Sequence, residues 1–369
     1  MNNKNFQTFF DCGFSNIRAG TFNINNINEA FYYESKFFTD RSSLEFKVQN
    51  IIASLEKDTD EYIDNINLMI DSPKMLSVGI SLSKKLNGSK LKQANIQFLV
   101  QEAKQQILKH YTNHYIAHII INNYKINGVD YSYLPNEIKC DFISLDLLFI
   151  CLPTDLVLYF KNIFSKVNIF VDQVICSSYA KSINYKENLN LKGHVSFIDV
   201  GFNKTSVISY FNDKIFSLDV LPVGGNHITK DISKILEIDL KTSEQKKRTF
   251  DENLKVSNDE NVPIKILEKI IFARTEEILE LCTKSIESNL DIPGKLKMVL
   301  MGEGSKVLDN QHKDNISFLN DIDFLEETLE DVCQSGFKFI TGLNKQEVVV
   351  IPKKQLKQGF FEKLFHFFK

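Results

Sequence analysis

Two short acidic turns carry most of the chemistry open to this chain, Asp11-Cys12-Gly13 and Asp199-Val200-Gly201. Each closes a run of β-forming residues, 7–10 and 194–198. A strand that ends in Asp-x-Gly and turns straight back presents backbone N–H groups and one carboxylate to a phosphate and its metal. Either turn alone is also ordinary turn chemistry. A pair, one opening each half of the chain, points to a duplicated α/β core closing on a nucleotide. In the first turn Asp11 would stand by a metal-bound phosphate, with Gly13, Ser15 and Asn16 around it. In the second, Gly201, Asn203, Lys204 and Thr205 would play that part after Asp199. Phe202 stands there where a phosphate cradle prefers a second glycine, because a bulky side chain limits backbone approach.

Three further segments would complete such a pocket. Pro222-Val223-Gly224-Gly225-Asn226-His227-Ile228-Thr229 ends a strand and opens a helix, and Gly224 and Gly225 would keep its N-terminus clear for a ribose or phosphate. His227 reads as a capping or packing residue. Glu244 and Lys247 share one face of a predicted helix, either bracketing a nucleoside or forming an exposed ion pair. A buried strand then runs into Gly302-Glu303-Gly304-Ser305, a glycine turn that would form a third wall.

The elements that must position these turns follow from periodicity. Strands at 6–10, 15–22 and 29–37, a helix at 44–55 and a strand at 67–71 open the chain. A strand at 75–82, a helix at 95–110 and strands at 116–126 and 138–149 read as an inserted α+β unit. A helix at 155–164, a strand at 168–174 and a helix at 177–185 lead to the second half. There, strands at 195–199, 205–211 and 214–223 repeat the opening order. Helices at 227–238 and 242–250, a polar loop or hairpin at 251–262, a long helix at 265–290 and a strand at 297–301 follow.

At 369 residues the chain is long enough for two to four compact units. With 43% hydrophobic and 25% charged residues it has a globular composition, and a net charge of −3 argues against nucleic acid as a partner. Six scattered cysteines without a Cys-x-x-Cys pair fit reduced thiols better than a metal cluster or a disulfide scaffold. The N-terminus runs into the first strand, so no signal peptide is expected, and no apolar stretch is long enough to span a bilayer.

The chain ends in a linker and a segment with helical patterning. Leu356, Phe360, Phe361, Leu364, Phe365, Phe367 and Phe368 fall on one side of a helical wheel. Lys353, Lys354, Lys357, Lys363 and Lys369 stand against the single Glu362. A basic, Phe-rich amphipathic helix lies in an anionic membrane interface; the alternative is docking on the protein's own body or a partner.

Taken in order, these residues resemble the bacterial division protein family FtsA, part of the superfamily of actin, Hsp70 and sugar kinases. The residues concerned are the turn at Asp11, the inserted unit, Ile198-Asp199-Val200-Gly201, Pro222-x-Gly224-Gly225, the Arg274-Thr275-Glu276-Glu277 helix, Gly302-x-Gly304-Ser305 and the terminal amphipathic segment. The resemblance implies an α/β, two-lobed fold with a duplicated ribonuclease H-like core. It divides the chain into a first lobe core (1–73 and 151–193), an inserted subdomain 1C (74–150), a second lobe core (194–226 and 294–347), a subdomain 2B (227–293) and a linker with membrane helix (348–369). It further implies ATP and Mg2+ between the lobes, with Asp11 and Asp199 holding the metal through water. It implies filaments, later division proteins as partners, and capture of the FtsZ C-terminal peptide at the inner face of the cytoplasmic membrane.

The chain departs from the family at its phosphate turns, with Gly13-Phe14-Ser15-Asn16, Gly201-Phe202-Asn203-Lys204-Thr205 and Gly302-Glu303-Gly304-Ser305. Glu303 brings a negative charge toward an anionic ligand. ATP hydrolysis is therefore expected to be slow or absent. A pilus assembly protein of the PilM kind and a small-molecule kinase of the same fold are the competing readings. A kinase needs a carboxylate base at the cleft, and no further Asp beside either turn offers one.

Overall fold

The computed structural model describes residues 5–26, 28–37, 44–135, 138–250, 264–289, 296–307 and 322–342. The chain opens with β1 (Phe6–Cys12), β2 (Asn16–Asn23) and β3 (Ala30–Lys36), followed by α1 (Leu44–Thr59) and β4 (Asn65–Ile70). Next come β5 (Leu76–Lys90), α2 (Gln93–His110), β6 (His114–Ile126), β7 (Val129–Tyr131) and β8 (Lys139–Pro153). The path continues through α3 (Thr154–Lys166), β9 (Phe170–Cys176) and α4 (Ser177–Asn188). A second meander is formed by β10 (Val195–Val200), β11 (Thr205–Phe211) and β12 (Lys214–Leu221). Then follow α5 (Gly225–Leu236), α6 (Leu240–Arg248), α7 (Ile264–Asn289), β13 (Lys297–Met301), β14 (Ile322–Phe324) and α8 (Leu329–Thr341).

Two five-stranded sheets share one topology, β3-β2-β1-β4-β9 and β12-β11-β10-β13-β14. In each, an antiparallel meander pairs its first strand in parallel with the next strand of the sheet. The registers agree as well: Asp11 lies opposite Met69 of β4, and Asp199 lies opposite Met301 of β13. This is the duplicated α/β core that the two acidic turns led us to expect. The strands at its centre, β1 and β10, are buried on both faces, as parallel pairing beneath helices requires.

The third sheet, β5-β8-β6-β7, is antiparallel and carries α2 on one face. Leu99, Ala103, Ile119, Leu147 and Phe149 lie within its separate apolar core. Its opening strand runs on to Lys90, past the end of the alternation at 82, because β8 supplies backbone partners to the polar stretch. Strands β7 and β14 are three residues each, too short to leave a periodic signal.

Helix α8 is the largest departure from expectation. Residues 294–347 were grouped with the second sheet, yet α8 packs on the first. Phe337 stacks on Phe22 at 4.7 Å between ring centroids and meets Phe9 edge-on at 6.0 Å. Its start is set by Thr328, whose hydroxyl accepts from the Asp331 N–H while the Asp331 carboxylate accepts from the Thr328 N–H. The loop or hairpin expected at 251–262 and the amphipathic segment from Leu356 to Phe368 lie outside the described residues.

We expect Phe337→Ala to lower stability by about 3–5 kcal/mol, the usual range for emptying a buried aromatic site. A lower denaturant midpoint with an unchanged slope would confirm that α8 is part of the first sheet's core.

Candidate functional site

The two acidic turns meet in a cleft between the first and second sheets. Asp11 and Asp199 are the penultimate residues of β1 and β10, both buried. Their carboxylate oxygens are already engaged by protein donors. Asp11 accepts from Ser177 Oγ (2.7 Å) and Arg18 Nη1 (3.4 Å). Asp199 accepts from Lys181 Nζ (2.9 Å) and faces Lys204 Nζ at 3.6 Å.

Three buried cations thus occupy the cleft floor, and each touches carboxylates of both sheets or of neighbouring loops. Arg18 of β2 reaches Glu34 (3.3 Å) on β3 and Glu303 (2.7 Å) after β13. Lys204, in the turn after β10, reaches Asp71 (2.8 Å) after β4. Lys181 of α4 joins Asp199 to Glu327 (3.1 Å). Six carboxylates therefore surround three cations. Burial works to neutralise the cations, but Asp11 and Glu303 around Arg18, and Asp71 and Asp199 around Lys204, outweigh it and raise both above their ordinary titration range. Burial works to raise Asp199, and Lys181 and Lys204 outweigh it, holding its carboxyl below the usual range. Burial dominates at Asp11, which is raised despite Arg18.

The loops around this floor pack backbone on backbone. The first two N–H groups of α5 donate to Gly201 O (2.9 Å, from Gly225) and Phe202 O (2.7 Å, from Asn226). The open helix terminus expected at Gly224 and Gly225 is thus capped by the turn after β10. A side chain at Gly224 would collide with the Gly201 carbonyl at 2.5 Å, so that glycine is required for close approach. Asn226 Nδ2 donates to Asn203 Oδ1 (2.9 Å), and the Thr205 hydroxyl donates to Val223 O (2.8 Å). Gly302 adopts φ +95 at the turn after β13, and the Ser305 hydroxyl closes that turn on Gly302 O at 2.6 Å.

His227 caps, as expected: its Nδ1 accepts from the Gly224 N–H at 3.1 Å. Glu244 and Lys247 share a face, as the spacing requires, but both are buried and neither forms the exposed pair considered above. Lys247 Nζ donates to Glu244 Oε2 (2.6 Å), Thr229 Oγ1 (2.8 Å) and Gly225 O (2.9 Å), which pins α6 to α5. Burial would raise Glu244, and Lys247 with its other partners holds it below the usual range.

Two cavities remain. The outer one, of about 170 Å3, is bounded by Ser15, Gly225, Glu244, Lys247, Glu303 and Gly304. The inner one, of about 80 Å3, lies among Asp11, Gly13, Asn16, Asp199 and the three cations. Phe202 borders both. Of the predicted residues, Asp11, Gly13, Ser15, Asn16, Asp199, Gly201, Lys204, Gly225, Glu244, Lys247, Glu303 and Gly304 line the two cavities of the cleft, whereas Asn203, Thr205, Gly224, Gly302 and Ser305 do not. Arg18, Asp71, Lys181 and Glu327, which motif spacing did not single out, also line the cleft. Residues Leu356, Phe360, Phe361, Leu364, Phe365, Phe367 and Phe368 lie outside the described residues and are not placed by it.

The sequence profile of the family "Cell division protein FtsA" matches residues 196–310, from β10 through the glycine turn. The chain is 19% identical over 294 residues to the FtsA of Agrobacterium fabrum, covering 74% of this chain and 66% of that one. It is 32% identical over 120 residues to the FtsA of Bacillus subtilis, covering 27% of each. Over residues 196–310 the chain is similar to the FtsA family, and over most of its length it resembles FtsA proteins at low identity. Its match spans slightly under two thirds of the length of the Agrobacterium relative. In fold it is similar to a chain of the PilM-PilN type IV pilus biogenesis complex, with a TM-score of 0.59, 13% identity and coverage of 90% of this chain and 95% of that one. It is also similar to the ethanolamine utilization protein EutJ of Carboxydothermus hydrogenoformans, with a TM-score of 0.51, 10% identity and 90% coverage of each.

The resemblance to FtsA implies Mg-ATP between the lobes, and its fit can be tested on these residues. They do not fit it. All four oxygens of Asp11 and Asp199 face protein donors, three of them cationic, so a hydrated magnesium ion would have to displace a lysine or arginine. The inner and outer cavities, at about 80 and 170 Å3, are together still below the roughly 300–1,000 Å3 of ordinary ligand pockets. The outer cavity keeps the wall expected of a nucleoside site, although the charged atoms of Glu244 and Lys247 are spent on α5.

The His227 cap requires an unprotonated Nδ1. Burial, then the nearby Lys230, push this imidazole below its usual 6.5. A depressed folded-state value means that its contribution is complete above pH 6.5 and is lost as pH falls through the folded value. We expect the His227 ring to titrate below 6.5 by NMR, and His227→Ala to cost about 1 kcal/mol at neutral pH. Titration at or above 6.5 would contradict the cap.

Proposed function

We propose that this protein is a division scaffold of the FtsA kind, an adaptor with no ATP hydrolysis of its own. The observation that supports it is the FtsA profile match over 196–310, the stretch that supplies the second acidic turn, α5 to α7 and the glycine turn. In this reading the C-terminal segment, with five phenylalanines and five lysines between Lys353 and Lys369, attaches the chain to the inner face of the cytoplasmic membrane. Among the described residues no helix is long and apolar enough to cross a membrane. The region 227–293 binds the FtsZ C-terminal peptide, and the unit 74–150 serves contacts with further copies or with later division proteins. ATP and Mg2+, which the resemblance to FtsA implies, have no step in this account, because the carboxylates of Asp11 and Asp199 are engaged by the chain's own donors.

A second reading is an adaptor of pilus assembly, favoured by the likeness to the PilM-PilN complex chain over 90% of this protein. It differs in the partner peptide, which would resemble PilN. A small-molecule kinase is disfavoured: the cleft carboxylates are each tied to a cation or a hydroxyl, so none stands ready as a base.

Liposome co-sedimentation separates these readings. Full-length protein and a version ending at Pro352 are mixed with anionic vesicles and a labelled FtsZ C-terminal peptide or a PilN-type peptide. We expect the full chain alone to pellet and to carry the FtsZ peptide with it. Exchanging Phe361 and Phe365 for Asp should abolish pelleting, since each ring gives up roughly 1.5–3 kcal/mol of burial. Pelleting without the tail, or capture of the PilN peptide alone, would contradict the division reading.

A further inference from the structure

The cleft floor has an internal symmetry. Met69 and Met301 occupy the same register position beside Asp11 and Asp199, and two residues beyond them stand Asp71 and Glu303. These two acids cross the cleft in opposite directions. Glu303, following the second sheet, meets Arg18 of the first at 2.7 Å, and Asp71, following the first sheet, meets Lys204 of the second at 2.8 Å. Lys181, on a helix that follows the first sheet, adds a third crossing to Asp199 at 2.9 Å. All three cations are buried, as are Asp11, Asp199 and Glu327.

In a nucleotide-closed fold the triphosphate is the polyanion that both halves grip. Here the cations of the cleft floor are met by protein carboxylates. The N-terminal amides of α5 are bonded to the turn after β10, so this part of the closed arrangement also needs no ligand. We propose that the reciprocal pairs Arg18–Glu303 and Lys204–Asp71 are an ionic latch that holds the two halves closed without nucleotide. The cleft is then a fixed joint, and assembly of this protein is governed by its surfaces and concentration, with no nucleotide cycle. The inference concerns the cleft alone and does not depend on which partner the scaffold serves.

The test uses the full chain. Small-angle scattering and thermal melting are recorded for the wild type, for Glu303→Gln with Asp71→Asn, and for each single variant, with and without millimolar Mg-ATP. The wild type is expected to show no change in radius of gyration or melting temperature on adding Mg-ATP. The double variant is expected to keep its circular dichroism spectrum and to scatter as a wider, opened particle. High salt should not open the wild type, because buried pairs are poorly screened. A wild type that contracts, or melts several degrees higher, with Mg-ATP overturns the latch, since a ligand bound to the native state raises stability by mass action. A folded double variant that scatters like the wild type overturns it equally. Should the double variant lose its fold, Glu303→Gln alone is read the same way, because it removes the charge of one latch pair at the more exposed of the two acids.

Discussion

The structure turns on a guanidinium that has left water. Arg18 sits in the middle of a strand, buried, with Asp11, Glu34 and Glu303 around it. Withdrawing such a charge from solvent costs several kcal/mol per ion, and mutual attraction offsets this only when geometry and partners are good. Three carboxylates meet that condition for Arg18, and two each do so for Lys181 and Lys204. Their removal one at a time would leave buried charges uncompensated. The arrangement is therefore a strong constraint on conformation, whatever its net contribution to stability.

The same constraint accounts for the altered turns. Lys204 lines the inner cavity, and its ammonium donates to Ser206 Oγ as well as meeting Asp71 and Asp199. Glu303, out of place beside a phosphate, is in place as the partner of Arg18, which holds its carboxyl below the usual range against the effect of burial. Phe202 borders both cavities, as do Ser15 and Glu303. Changes that look like erosion of a nucleotide site, one turn at a time, are thus mutually consistent as a site for ion pairs.

Much of the fold was legible because the signals were local. Asp-x-Gly after a β-run marked the ends of β1 and β10, and alternation or 3.6-residue spacing marked the long elements. Helix α8 escaped, although Thr328-Leu-Glu-Asp331 is a capping signature, because it lies apart from the turns that directed attention. The candidate site was only half legible. Glu303 and Lys204 stood in motifs, whereas Arg18, Asp71, Lys181 and Glu327 belong to no motif. A signal existed for Arg18: a charged residue within Asn16-Ile17-Arg18-Ala19-Gly20-Thr21, a stretch buried throughout, must have buried partners. Which partners these are depends on bringing residues 18 and 303 together, and only the tertiary fold does that. The second half's counterpart of Arg18 is Ser206, by register, so the halves are related in topology while their charges are complementary.

Amide hydrogen exchange across the cleft tests the central claim most directly. Peptides covering 199–205, 224–229 and 302–305 would be followed in the purified full-length protein, alone and with saturating Mg-ATP. A cleft closed by its own ion pairs predicts strong protection in all three peptides without nucleotide, and no change when nucleotide is added. Rapid exchange in the protein alone, slowing on addition of Mg-ATP, would contradict the account and return the cleft to a nucleotide-gated hinge.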